Sequence, residues 1–218
     1  MKNKKIIDVD LIIFDLDGTL VDSKKGIVDA VNFTLRKLGL NEKPFGEIVS
    51  FIGAGINSLI RKAIGERNRG LFNKGISIFE DYYKKHAAVK SRLYSHVEDV
   101  LEYFKSKLMF VVTNRRKDMA LVTLNSLGIY KYFKDIISGD DESCLKPSAC
   151  PLNKVLKFNI DKRRSIIVGD MDLDILSGKK AGILTCAVTY GIGKKEDIMK
   201  AEPDYIIDDV AELKGIIK

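Results

Sequence analysis

Six short apolar runs limit most strongly what this chain can fold into: VDLIIF from Val9, LMFVV from Leu108, DII from Asp135, SIIV from Ser165, LTCAV from Leu184 and YII from Tyr205. They are near-continuously apolar rather than alternating, which is the pattern of strands covered on both faces. From residue 95 onward the gaps between them carry helical spacing, as in Val97, Val100, Leu101 and Phe104, or Leu152, Val155 and Leu156. Strand alternating with helix predicts an α/β fold, a doubly wound parallel sheet with a Rossmann-like core.

Residues 21–94 break this rhythm. They show no convincing strand and several helical faces, among them Ile27, Ala30, Val31, Thr34, Leu35 and Leu38, and then Ile56, Leu59, Ile60, Ala63 and Ile64. The spacing predicts a discontinuous core, 1–20 with 95–218, and a helical insertion over 21–94 that leaves just after the first strand and so sits above its C-terminal end. Charge follows the same division. Between Lys24 and Arg92 there are 14 Lys and Arg against 6 Asp and Glu, whereas the remainder holds 23 against 24. A basic layer over a strand end suits a small anionic ligand, whose local concentration it raises.

Ligands of open parallel sheets bind at the carboxyl ends of the strands. Read in order, those ends carry Asp15 and Asp17, then Thr113 and Asn114, then Lys146, then Asp170, Asp172 and Asp174. Carboxylates crowded together repel one another and hold protons unless a cation is present. Magnesium fits, because it takes carboxylate oxygens together with water and substrate phosphate. The set matches phosphoryl transfer through an aspartyl-phosphate, with metal, Lys146 and the Thr113 hydroxyl offsetting charge on the transferred group. Backbone amides after Asp15, Gly18 included, are candidate phosphate donors. Asp172 reads as a solvated helix-start residue.

As they stand, these residues resemble the haloacid dehalogenase superfamily of phosphohydrolases over nearly the whole chain: DLDGTLVDS its first motif, VVTN its second, Lys146-Pro147 its third and VGDMDLDI its fourth. The resemblance implies Asp15 as nucleophile and Asp17 as general acid and base. It implies magnesium held by Asp15, Asp170 and the backbone carbonyl of Asp17, with Asp174 a ligand or a neighbour of the ligands. It also implies that the helical insertion is a cap. FIGAGINSLIRKAIG, TYGIG and PDYIIDDVAEL look most like phosphoglycolate phosphatases and their relatives. Two departures stand out: KPSACP where the family has K-P-x-P-D-P, and Ser95-His96 where it has Pro-Gly. In the cap, Asn57 and Arg61, with Lys62 beside them, are candidates to meet the substrate's own carboxylate or sugar.

Other readings fall away. GAGINS, 53–58, matches the opening of a dinucleotide fingerprint but lies in the helical insertion rather than after a strand. The glycine after Asp15 and Asp17 is too early for a calcium loop. His86 and His96 are remote from the motifs and receive no role. Cys144, Cys150 and Cys186 have neither metal spacing nor an even count and are read as reduced thiols. With 45% hydrophobic and 31% charged residues the composition is that of a globular protein, and no run approaches a membrane span of about 20 residues. The start MKNKKIIDVD is basic but broken by Asp8 and Asp10, so it is not a secretory signal and the protein is placed in the cytoplasm. The partner is a small phosphorylated metabolite, acted on by a monomer or homodimer. A phosphomutase or phosphotransferase on the same scaffold is the alternative. A nucleic-acid-binding role is weaker, because the basic helices lack aromatic interleaving and the acidic cluster repels phosphodiesters.

Overall fold

The computed structural model describes residues 6–157 and 160–218, with the side chains of 87–89 left aside; the basic stretch 1–5 lies outside the described residues. In chain order the elements are β1 Leu11–Phe14, β2 Val21–Asp22, α1 Lys24–Lys37, α2 Phe45–Val49, α3 Gly55–Ile64, α4 Phe72–Lys90, β3 Arg92–Leu93, α5 Val97–Tyr103, β4 Leu108–Val112, α6 Lys117–Ser126, β5 Asp135–Ile137, α7 Cys150–Leu156, β6 Ser165–Gly169, α8 Asp172–Ala181, β7 Leu184–Val188, α9 Lys195–Ala201 and β8 Tyr205–Ile207. All six expected strands form, and they join into one sheet of order β5-β4-β1-β6-β7-β8 with every pair parallel.

Burial explains why these strands read as continuous apolar runs. Leu11, Ile12, Ile13 and Phe14 are all fully buried. Ile12 and Phe14 pack with Val111, Val168 and helix residues such as Val100 and Leu124 on one face. Leu11 and Ile13 pack with Val112, Leu152 and Val155 on the other. Alternate side chains thus enter two different cores, and neither face has room for a polar residue.

β1 lies at the centre of the sheet, between β4 and β6. From it the order runs through β4 to β5 on one side and through β6 and β7 to β8 on the other, so the crevice at its C-terminal end is the topological switch point where open α/β sheets take ligands. The loops after β1, β4, β5 and β6 all reach that edge.

Helices α1 to α4 have their own apolar cluster, including Ile27, Val31, Leu35, Ile60, Phe79 and Tyr83, joined from the sheet layer by Met119 of α6. The expected helical faces are therefore what this layer buries. Two features depart from expectation. Residues 21–94 do contain strand: β2 and β3 pair antiparallel, Val21 opposite Leu93 and Asp22 opposite Arg92, and tie together the two chains that enter and leave the helical layer. At two residues each they are too short to produce a periodic signal. Second, Cys144 and Cys150 are not thiols but form a disulfide, while Cys186 is free and buried. Cys144 ends a short 3-10 turn and Cys150 opens α7, and the turn between them, with Ser148 N–H bonded to the Leu145 carbonyl at 2.9 Å, brings their Cα atoms to 5.2 Å. That distance is within disulfide range, and a separation of six carries no sequence signature for it.

His96, which stands where the resembling family has glycine, takes the left-handed conformation (φ 62°) immediately before α5. Its ring Nδ1 lies 2.7 Å from a carboxylate oxygen of Asp209, across the chain.

Candidate active site

Asp15 follows directly on β1, and its amide is fixed by the Val168 carbonyl of the neighbouring strand at 2.9 Å. Facing it is Lys146, from the loop after β5. The ammonium donates to Asp15 Oδ1 at 2.6 Å, to Asp174 Oδ1 at 2.6 Å and to the Val112 carbonyl at 2.8 Å. Residues 131 apart in sequence thus meet in a site where Lys146 is only 3% exposed. Asp170, one residue past β6, is fully buried. Its Oδ1 accepts from the Thr19 hydroxyl at 3.0 Å, and its Oδ2 accepts from the amides of Ile192 at 2.7 Å and Gly193 at 3.2 Å. Asp174 receives the Met171 amide at 3.0 Å on the oxygen that Lys146 leaves.

Burial dominates the electrostatics. It pushes the Asp15 carboxyl well above the ordinary carboxylate range, Lys146 opposes that rise, and Asp174 and Asp170 reinforce it. Asp170 is raised to about 7, first by burial and then by Asp174. Burial works against the charge of Lys146, but Asp15 and Asp174 outweigh it and the ammonium is held more firmly than usual. Asp15, Asp170 and Asp174 can each offer an oxygen with all three within 4.8 Å of one another. Three carboxylates and one ammonium leave two negative charges, the amount a single divalent cation neutralises. The donors are all oxygen, which favours a hard cation such as Mg²⁺ over zinc.

Small residues make the cluster compact. A Cβ on Gly18 (φ 91°) or Gly191 would overlap the Asp170 carboxylate, and one on Gly169 would overlap Asp174. The Gly18 amide is itself bonded to the Val21 carbonyl at 2.9 Å, so what the site takes from this residue is the missing side chain. Asn114 is a clamp. Its Oδ1 accepts from the Lys146 amide and its Nδ2 donates to the Lys146 carbonyl, both at 2.9 Å, and the same Nδ2 reaches the Gly53 carbonyl of the helical layer at 2.9 Å.

The side chain of Asp17 points elsewhere. Its Oδ1 accepts from the Ser23 hydroxyl and from the guanidinium of Arg115. Above Asp15, Asp17, Thr113 and Lys146 lies a cavity of about 60 Å³, lined from the helical layer by Ile27, Ile52, Ile56, Leu59, Phe79 and Tyr83.

One family model, described as haloacid dehalogenase-like hydrolase, matches residues 12–188. The chain belongs to that family. Among haloacid dehalogenase-like proteins it is 33% identical to a phosphoglycolate phosphatase of Neisseria meningitidis over 97% of this chain and 94% of the relative. It is 32% identical to a phosphoglycolate phosphatase of Aquifex aeolicus over 93% and 94%. The fold matches a solved haloacid dehalogenase-like family hydrolase from Streptococcus pneumoniae with a TM-score of 0.83 at 27% identity, covering 95% of this chain and 97% of that one.

Within this hydrolase the structure brings Asp15, Lys146, Asp170 and Asp174 to one point and sets Asp17, Thr113 and Asn114 beside it. It does not bring Asn57 and Arg61 there. Both line a neighbouring cleft with Lys62, Arg116, Asp140 and Glu142, and Arg61 stacks over the Phe72 ring at 4.9 Å. Sequence reasoning missed Thr19, the amides of Ile192 and Gly193, and Arg115. The two glycines of TYGIG, which let backbone approach Asp170, were the available signal for the amides; Arg115 had none beyond adjacency to Asn114.

Proposed function

We propose that this hydrolase is a magnesium-dependent phosphatase that cleaves small phosphomonoesters of the phosphoglycolate type through a covalent intermediate on Asp15. One observation carries the reading: a buried lysine bonded at once to Asp15 and Asp174, beside Asp170, on the floor of a small cavity. The name borne by relatives over nearly their full length supports the substrate type.

In this reading Asp15, Asp170 and the Asp17 backbone carbonyl hold Mg²⁺, and Asp174 orients Lys146. The bound ion supplies positive charge to the substrate's phosphoryl oxygens and relieves the repulsion among the carboxylates. An Asp15 oxygen forms a bond to phosphorus as the bond from phosphorus to the alcohol oxygen breaks, and Asp17, entering this step as the carboxylic acid, delivers its proton to that oxygen and becomes the carboxylate. Asp17 then takes a proton from water as the water attacks the phospho-Asp15, releasing inorganic phosphate and restoring both carboxyl groups. Lys146 and the Thr113 hydroxyl offset charge on the transferred group throughout. The helical layer acts as a cap, excluding bulk water while closed. We place the enzyme in the cytoplasm, acting on a soluble metabolite rather than nucleic acid.

The test is phosphate release from phosphoglycolate, sugar phosphates, nucleotides and pyrophosphate, with and without Mg²⁺. Release from phosphoglycolate that needs the metal, and its loss in Asp15→Asn, is the expected result. Wild-type turnover by Asp15→Asn overturns the assignment.

A further inference from the structure

The cavity is lined by two cations and is otherwise apolar above Asp15 and Asp17. One of them, Lys146, is fully committed: an ammonium has three donors, and its partners Asp15, Asp174 and the Val112 carbonyl take all three. The other is Arg115. Its guanidinium is buried, donates through one nitrogen to the Thr123 hydroxyl at 2.8 Å and through another to Asp17 Oδ1, and stacks on the Tyr83 ring with 4.9 Å between Cζ and the ring centre. With five N–H donors in a rigid fork, a guanidinium is the side chain best matched to a carboxylate. Arg61, the cap cation that sequence favoured for this task, opens on a different cleft.

A substrate that brings a second anionic group into this space must desolvate it among isoleucine, leucine and phenylalanine side chains, and an unpaired buried carboxylate is costly. Arg115 is the group available to meet it. We propose that Arg115 is the specificity residue for a carboxylate on the alcohol portion of the substrate, selecting phosphorylated hydroxy acids over neutral alkyl phosphates. The inference rests on the phosphatase reading above. It also ties recognition to chemistry. Arg115 now holds the Asp17 carboxylate, so a substrate carboxylate that takes over the guanidinium releases Asp17 to turn toward the ester oxygen, and a neutral alcohol leaves it held.

The experiment compares kcat/KM for 2-phosphoglycolate and ethyl phosphate in the wild type, Arg115→Met, Arg115→Lys and Arg61→Ala. A wild-type preference for the carboxylated ester that falls roughly 10- to 100-fold in Arg115→Met, the scale of one charge-assisted hydrogen-bonded pair, supports the proposal. Arg115→Lys should recover part of the preference, guanidinium ion added to Arg115→Met should restore phosphoglycolate turnover, and Arg61→Ala should keep the wild-type ratio. Far-ultraviolet circular dichroism and a thermal melt report that a variant is folded; if Arg115→Met is not, Arg115→Lys carries the comparison, because it keeps the charge and loses the fork. An unchanged ratio in the folded variant, or no preference in the wild type, overturns the role of Arg115 while leaving a phosphatase. No phosphate release from either ester by the wild type with Mg²⁺ overturns the phosphatase reading and this inference with it.

Discussion

Replacing Lys146 by methionine tests the electrostatic account of the site at its centre. The substitution keeps most of the buried volume and deletes an ammonium bonded to Asp15, Asp174 and the Val112 carbonyl. Removing one partner of a buried ion pair costs about 3–5 kcal/mol, because the remaining charge stays buried without compensation. Three buried carboxylates would then face one another alone. With a urea dependence of about 3 kcal/mol per molar for a chain of this size, the midpoint of unfolding moves down by about 1–1.7 M.

The sign of the pH dependence follows from the shifts. Asp170 stands at about 7 in the folded protein, against about 3.9 for an unfolded aspartate. Over that window the folded state binds the extra proton, so metal-free stability falls as pH rises from about 4 through 7. Without the ammonium the carboxylates hold protons more tightly still. The gap between Lys146→Met and wild type should therefore be smaller at pH 5 than at pH 8, and Mg²⁺ should narrow it at pH 8. Lys146 itself is charged across this whole range and adds no slope. Circular dichroism in urea, at both pH values with EDTA or Mg²⁺, measures all four conditions. A midpoint at pH 8 in EDTA that matches wild type refutes the reasoning.

Two further outcomes can be checked alongside. Gly18→Ala sets a methyl group on the Asp170 carboxylate and requires a positive φ of an alanine, so it should lower stability by about 1–3 kcal/mol and raise the Mg²⁺ concentration needed for half-maximal phosphate release; a melt and a metal titration like those of wild type would contradict the packing described for Asp170. Reduction of the Cys144–Cys150 disulfide opens a short closed loop, for which chain entropy gives about 2 kcal/mol; thermal melts with and without a dithiol, repeated on Cys144→Ser, should show that loss in the wild type alone.

What the sequence discloses here depends on how local the cause is. Leu11 to Phe14 are buried on both faces, so composition alone marks them as a central strand. The motif residues at strand ends are legible for a related reason: the parallel sheet fixes where each strand stops, and Asp15, Thr113 and Asp170 need only follow their strands. Arg115 is different. Its partner Asp17 lies 98 positions away and its stacking partner Tyr83 belongs to α4, so nothing near Arg115 in sequence marks it out. Asn57 and Arg61 show the converse. Their spacing puts them on α3 near the turn that covers the site, but which cleft a helix face meets is set by how Gly53 docks on Asn114, and a pattern within one helix does not contain that.

The same contacts define how the helical layer is held. Where the chain enters and leaves it, a ladder of two residues on each side ties the two connections to each other. Elsewhere it is secured by Asn114 on Gly53, by Arg116 on Glu80, by Lys84 on Asp118 at 2.6 Å and by Tyr83 over Arg115. The Lys84 and Asp118 side chains are 40% and 53% exposed, so that pair contributes little, typically below about 1 kcal/mol. The apolar contact between the layers is made by Met119 and Ile192, which pack on the helical cluster, and by Met171 and Leu173, which lie against Gly53. Of those contacts, the one at Arg115 alone reaches Asp17, the carboxylate proposed as acid and base. On the role proposed for Arg115, a substrate that changes its partners, Tyr83 of the helical layer and Asp17, would act on both together, linking the selection of the substrate to the assembly of the site that cleaves it.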